Sequence, residues 1–131
     1  DTTNKREIKD ADLKERGHNP SCGDDITISL KFKGDVIDDV AYEGSGCAIS
    51  QASTSMMIDL IKGKTIDEAM DYVNTFIGMI KKDITDEKEL EKLEDAIALK
   101  NISTMPARVK CAVLAWHTLE EAIKKRNASK K

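Results

Sequence analysis

From Ile26 onward the chain alternates, with Ile26, Ile28, Leu30 and Phe32 apolar and Thr27, Ser29 and Lys31 polar between them. Strict alternation is the period of a half-buried strand. Lys33-Gly34-Asp35 supplies hairpin turn residues, and a second strand is predicted from Val36 to about Tyr42, its alternation blurred by Asp38-Asp39. Gly44-Ser45-Gly46 breaks that strand just before Cys47. From Ala48 the period lengthens. Ile49, Ala52, Met56, Met57, Leu60 and Ile61 recur at helical spacing, and Gly63 closes the helix as a left-handed cap. Thr65-Ile66-Asp67-Glu68 reads as a capping box; it opens a helix with Ile66, Ala69, Met70, Val73, Ile77 and Ile80 on one side. An acidic segment around Thr85–Asn101 carries a narrow stripe of Leu90, Leu93 and Ile97. Pro106 stands where a last helix begins, since its missing N–H costs nothing there. That helix is predicted to run to about Lys125 on a stripe of Val109, Val113, Trp116, Leu119 and Ile123. Residues 1 to about 20 are charged with little periodicity and read as an extended arm.

Strands first and helices afterwards is the α+β order. The expectation is a small antiparallel β-sheet of about three strands packed against several α-helices. At 131 residues the chain suits one domain, spanning 1–131. With 40% hydrophobic and 34% charged residues it is globular rather than disordered. A balance of 21 basic against 24 acidic residues speaks against nucleic-acid binding, and the tail Lys124-Lys125-Arg126…Lys130-Lys131 reads as a solvated helix end. No apolar run is long enough to span a membrane. The opening Asp1-Thr2-Thr3-Asn4-Lys5-Arg6-Glu7 has no secretory h-region.

Three cysteines, Cys22, Cys47 and Cys111, change the picture. An odd, widely spaced set is a poor disulfide framework and fits reduced thiols in the cytoplasm. Cys22 sits in Asn19-Pro20-Ser21-Cys22-Gly23-Asp24, where Gly23 lets the backbone aim Cys22 and Asp24 at one centre. Cys47 precedes a helix, whose unsatisfied N–H groups favour a thiolate. Cys111 lies about 160° round its helix from the Val109–Val113–Trp116 stripe, off that stripe, with Arg108 on nearly the same face. A lone cysteine is ordinarily a small buried apolar residue. Burying a thiol yields on the order of 1 kcal/mol, whereas a structural zinc contributes roughly 10 kcal/mol. The residues alone therefore leave two readings, core thiols or a shared metal site. In the second, Asp24 is the candidate fourth ligand, or else a plain turn carboxylate. Thiolates suit zinc or iron–sulfur chemistry. His18 reads as a loop residue; His117 lies roughly 120° from Cys111 round the helix; Met56, Met57 and Met70 read as core.

The segments Asn19-Pro20-Ser21-Cys22-Gly23-Asp24, Gly44-Ser45-Gly46-Cys47-Ala48-Ile49-Ser50 and Pro106-Ala107-Arg108-Val109-Lys110-Cys111-Ala112 resemble the three cysteine motifs of the NifU-like/IscU family of iron–sulfur cluster assembly proteins. The resemblance spans about residues 18–125. It is closest to the SufU branch: Lys110 stands where the scaffold branch has histidine, and the stretch around 83–104 resembles that branch's insertion. The resemblance implies a SufE/NifU-like fold and a zinc-binding sulfurtransferase that accepts persulfide sulfur from a cysteine desulfurase of the SufS type. Carried over, Cys22, Asp24, Cys47 and Cys111 hold zinc, Cys22 accepts the sulfur, and Arg108 stands beside it as a positive partner. Zinc is then a removable mask and organiser of the thiolates. The alternatives are a scaffold that assembles a [2Fe–2S] cluster, or holds iron, on Cys22, Cys47 and Cys111 and passes the cluster to apoproteins, with iron–sulfur assembly proteins as partners, and a purely structural zinc domain for protein contacts. Family members usually begin with an amphipathic helix, and no such pattern precedes Lys5.

Overall fold

The computed structural model describes residues 4–21 and 23–129. Three strands, β1 (Leu13–Asn19), β2 (Asp24–Lys33) and β3 (Val36–Ser45), form an antiparallel sheet in the order β1-β2-β3. The helices follow: α1 (Ala48–Ile61), α2 (Ile66–Ile80), the short α3 (Glu87–Leu90), a 3-10 segment (Glu91–Thr104) and α4 (Pro106–Ser129). The expected α+β order holds. β2 supplies Ile26, Ile28 and Leu30 to the inner face, all fully buried. Ile28 pairs with Tyr42 and Leu30 with Val40, so their side chains share that face and meet the helices. The alternation ends at a register shift between Lys31 and Phe32, a bulge that lets the hairpin twist. Gly34 takes φ +63° in the turn, a conformation glycine adopts without steric cost.

The N-terminal segment differs from the expected arm. Residues 13–19 are strand β1, which a hydrophobic count misses because its inward positions include Gly17 and Asn19 rather than large apolar residues. Before it, residues 4–12 form a strap. Tyr42 N–H donates to Asn4 O at 3.0 Å and Arg6 N–H to Tyr42 O at 3.0 Å, on the β3 edge; Asp12 N–H then donates to Leu30 O at 2.8 Å beside β1. The strap thus crosses the face turned away from the helices, where Ile8, Ser29 and Ala41 are buried. Asn4 Nδ2 anchors its start, donating to Ser55 Oγ at 2.9 Å and Asp59 Oδ1 at 2.9 Å. The Arg6–Asp39 ion pair holds its middle.

α4 is the central helix, packed on β1, α1 and α2. Trp116 is fully buried and stacks on Phe76 of α2 with ring centroids 4.1 Å apart; each such buried aromatic contributes roughly 1.5–3 kcal/mol by area. The capping box forms as expected: Glu68 N–H donates to Thr65 Oγ1 at 3.1 Å and Thr65 N–H to Glu68 Oε1 at 3.0 Å. α1 ends instead on an extended C-cap, Lys62, and Gly63, at φ +82°, donates its N–H to Ile37 O at 2.8 Å rather than to a carbonyl of α1. Between Leu90 and Ile102 the buried row is Leu90, Leu93, Ala96 and Leu99, a spacing of three that suits a 3-10 helix. Of the expected Leu90–Leu93–Ile97 stripe, Leu90 and Leu93 are fully buried and Ile97 packs half-buried against the core, and Glu94 interrupts the segment with φ 50°, ψ −125°. The C-terminal basic run is not simply solvated: Lys125 Nζ donates to Glu15 Oε1 at 2.9 Å, and Arg126 donates to Gly34 O at 2.7 Å while its guanidinium lies 4.7 Å from the Phe32 ring centroid. Lys130 and Lys131 lie outside the described residues.

Two predictions follow from this packing. Gly17 admits α4: a Cβ there would stand 2.0 Å from Thr118 Oγ1, whose hydroxyl donates to Leu114 O at 2.7 Å. Overpacking of this kind costs roughly 1–3 kcal/mol, so Gly17→Ala lowers the urea unfolding free energy by about that amount, and an unchanged midpoint would show that α4 retreats freely. The Arg6 guanidinium, by hydrogen bond, holds the Asp39 carboxyl below its ordinary value. Its stabilisation is present above the unfolded carboxyl pKa of about 3.9 and is lost as pH falls through the lower folded value. Amide exchange at Arg6 and Tyr42, corrected for intrinsic rates, speeds up in that acid window, and at neutral pH in Asp39→Asn; pH-independent protection in the native chain would contradict this.

Candidate metal centre

Asp24 extends the inward alternation of β2 by one step, so a carboxylate occupies a core-facing position and is fully buried. Its Oδ1 accepts the Cys47 backbone N–H at 2.8 Å. Its Oδ2 is buried with no hydrogen-bond partner. An unpaired buried carboxylate is strongly unfavourable unless a positive charge meets it. Cys47 is the N-cap of α1, its Sγ accepting the Ser50 N–H at 3.4 Å. Cys111 sits in the second turn of α4, buried at 4% exposure. One ligand atom from each of Asp24, Cys47 and Cys111 lies within 4.8 Å of the other two.

Small side chains make this convergence possible, and here the expected stripes need correction. In the first two turns of α1 the buried residues are Ser50, Ser53 and Thr54, while Ile49 and Met56 are half-buried and Ala52 is exposed. On α4 the buried row is Cys111, Ala112, Ala115, Trp116, Thr118, Leu119, Ala122 and Ile123, with Val109 and Val113 half-buried. Cys111 was placed off the core stripe; it lies on it. The reading failed because it weighted large apolar residues, whereas the α1–α4 seam is built of hydroxyls, alanines and a thiol that let two backbones come close.

Two sulfurs and a carboxylate oxygen suit zinc. In a tetrahedral site with bonds near 2.3 Å, ligand atoms stand roughly 3.8 Å apart, so this cluster closes on one ion by side-chain adjustments on the order of an ångström. The orphaned Asp24 Oδ2 is the atom such an ion would satisfy. Gly46 forms the cradle: a Cβ there would lie 2.6 Å from Asp24 Oδ1 and 3.3 Å from Ser50 Oγ. Ser50 Oγ and Asn19 Nδ2 are likewise buried and unpartnered, and both flank the cysteine segments in sequence. Ser50 holds the helix position from which a capping-box side chain reaches back to the N-cap N–H, but Asp24 already takes that N–H.

Of the expected site residues, the structure brings together Asp24, Cys47 and Cys111. Cys22 lies outside the described residues; its neighbours form a turn in which Gly23 N–H donates to Pro20 O at 3.3 Å, with Gly23 at φ +71°. Arg108 is exposed in the first turn of α4, one turn before Cys111, its N–H donating to Met105 O at 2.8 Å. His18 closes β1 rather than lying in a loop, and like His117 it stays outside the cluster. Sequence reasoning missed Gly46 as a cradle, and Ser50 and Ser53 as buried hydroxyls. The available signal was a run of hydroxyl residues at helical spacing after Cys47.

Comparison with known proteins adds the following. The model of the NifU-like N terminal domain matches residues 2–131. A zinc-dependent sulfurtransferase SufU of Bacillus subtilis is 43% identical over 109 residues, 82% of this chain and 72% of that protein. An iron–sulfur cluster assembly scaffold protein IscU of Thermotoga maritima is 42% identical over 118 residues, 90% of this chain and 81% of that one. A crystal structure of a cluster assembly scaffold protein for the SUF system from Fervidobacterium islandicum superposes with TM-score 0.87 at 42% identity, covering 93% of this chain and 88% of that chain. Among the described residues no helix is long and apolar enough to cross a membrane.

The cradle is testable. Gly46→Ala displaces the Asp24 carboxylate without straining a left-handed backbone, so the variant folds and binds zinc about tenfold more weakly or worse in chelator competition. Native-like zinc affinity would remove Asp24 from the ligand set.

Proposed function

The chain belongs to the NifU-like N-terminal domain family, and we propose that it is a zinc-dependent sulfur acceptor and carrier in iron–sulfur cluster assembly. The observation that carries this reading is the buried Asp24 carboxylate, its Oδ2 unpartnered, set against Cys47 and Cys111. Cluster sites are ordinarily all-cysteine or contain histidine; here a carboxylate holds one position and Lys110 precedes Cys111. The sulfurtransferase name of the Bacillus subtilis relative supports the same choice, and the 83–104 stretch is proposed as the insertion of that branch.

The ligand set is proposed as Cys22, Asp24, Cys47 and Cys111, in one domain spanning the chain. Zinc bound there holds the sulfurs as thiolates at neutral pH. Cys22 is the proposed acceptor. Its thiolate attacks the outer sulfur of a persulfide on a partner cysteine desulfurase of the SufS type. A new S–S bond forms on Cys22, the donor's S–S bond breaks, and the donor cysteine leaves as a thiolate, with no external oxidant or reductant. Arg108 offers a positive charge to the anionic sulfur. The reducing cytoplasm is the compartment these free thiols suit.

A second reading, a scaffold on which a [2Fe–2S] cluster is assembled, draws on the names of the Thermotoga and Fervidobacterium relatives. Turnover of a cysteine desulfurase with and without the zinc-loaded protein separates the two. Sulfur acceptance predicts strong stimulation that Cys22→Ala abolishes. Absence of stimulation, together with a stable, transferable cluster after anaerobic reconstitution, would replace the carrier with the scaffold.

A further inference from the structure

Ser53 lies on the α1 face turned toward α4 and is fully buried. Its hydroxyl donates to the carbonyl oxygen of Ala112 at 2.6 Å and accepts the Trp116 Nε1–H at 2.8 Å. A carbonyl has two lone pairs, so Ala112 takes this second hydrogen without leaving its own helix. The two ends of the bond are informative. Ala112 is the residue next to Cys111, and Ser53 stands less than two turns along the helix that Cys47 caps. One hydroxyl therefore joins the two cysteine-bearing helices, near the end where their sulfurs meet Asp24. Ser50 and Thr54, buried on α1 near Ser53, are small and polar, so beside the Trp116 ring a directed bond carries weight in fixing the helix spacing.

We propose that Ser53 is a positioning residue for the metal centre: it sets the separation and rotation of α1 against α4, and so the Cys47–Cys111 spacing a tetrahedral ion requires. This inference rests on the reading that Asp24, Cys47 and Cys111 hold zinc. Trp116 completes the hydroxyl's hydrogen bonding and fixes its direction, but the tie between helices is the bond to Ala112.

Two variants separate positioning from general stability. Ser53→Ala deletes the tie and leaves the packing volume almost intact. Trp116→Phe removes the indole donor together with part of the ring, keeps the tie, and opens a gap in the core beside Phe76. Each purified full chain is titrated with zinc against a chromophoric chelator, loaded with cobalt(II) for its ligand-field spectrum, and unfolded in urea in the metal-free state. Ser53→Ala should bind zinc roughly ten- to a hundredfold more weakly and shift the cobalt bands, with a modest change in metal-free stability. Trp116→Phe should lose more stability yet keep native zinc affinity and spectrum. The proposal is overturned if Ser53→Ala binds both metals as the native chain does, or if zinc affinity simply follows stability across the two variants. If the native chain itself takes up neither metal, the metal reading fails and the positioning role with it.

Discussion

The close approach of α1 and α4 is the constraint on which the rest of the molecule depends. Where Ser53 of α1 meets Ala112 of α4, both flanked by small side chains, a side-chain hydroxyl lies 2.6 Å from a main-chain carbonyl of the other helix. Leucines or methionines on the same faces would hold the backbones at the wider separations usual in helix packing. That seam delivers Cys47 at the start of one helix and Cys111 near the start of the other to the end of β2, where Asp24 waits. Trp116 joins the seam at Ser53 through its indole N–H and stacks on Phe76 of α2, and Leu119 and Ile123 extend the core farther along. α4 is thus divided along its length: its first turns carry Arg108 and Cys111, its later turns carry hydrophobic area.

The site itself is assembled with little conformational freedom. Asp24 is held by a main-chain N–H, Cys47 by its place as a helix cap, and Cys111 by burial, while Gly46 leaves no side chain in the way. Asp24 brings a carboxylate to a fully buried position where its Oδ2 has no hydrogen-bond partner. A cation held there, as proposed, would offset that desolvation and link its own binding to folding.

Much of this was legible in the sequence, and the failures share one cause. Alternation in Ile26–Phe32, the capping box at Thr65 and the proline at the head of α4 are strong local signals that tertiary context did not override. The helix stripes were read less well, because a periodicity counted from Val, Ile, Leu and Met cannot see a contact face made of small residues. For the same reason Cys111 was assigned to the wrong side of its helix, and β1, whose inward positions include Gly17 and Asn19, was taken for an arm. Asp24 was found through its neighbour Cys22. Its place on β2 gives a second, independent signal, since an acid that continues a run of inward-facing isoleucines asks for a counter-charge.

The 3-10 segment between α3 and α4 has a consequence for how the chain tolerates changes of length. Beyond the break at Glu94, Ala96, Leu99 and the half-buried Ile102 repeat at every third residue, which at three residues per turn keeps one edge against the core. Adding or removing three residues lengthens or shortens that edge and leaves its orientation alone. Adding or removing one rotates everything beyond it by about 120° and turns the apolar edge toward water. Between Glu94 and the start of α4 at Pro106, changes of length in whole turns of three residues therefore preserve the apolar edge, and the distance the segment spans grows in the same steps.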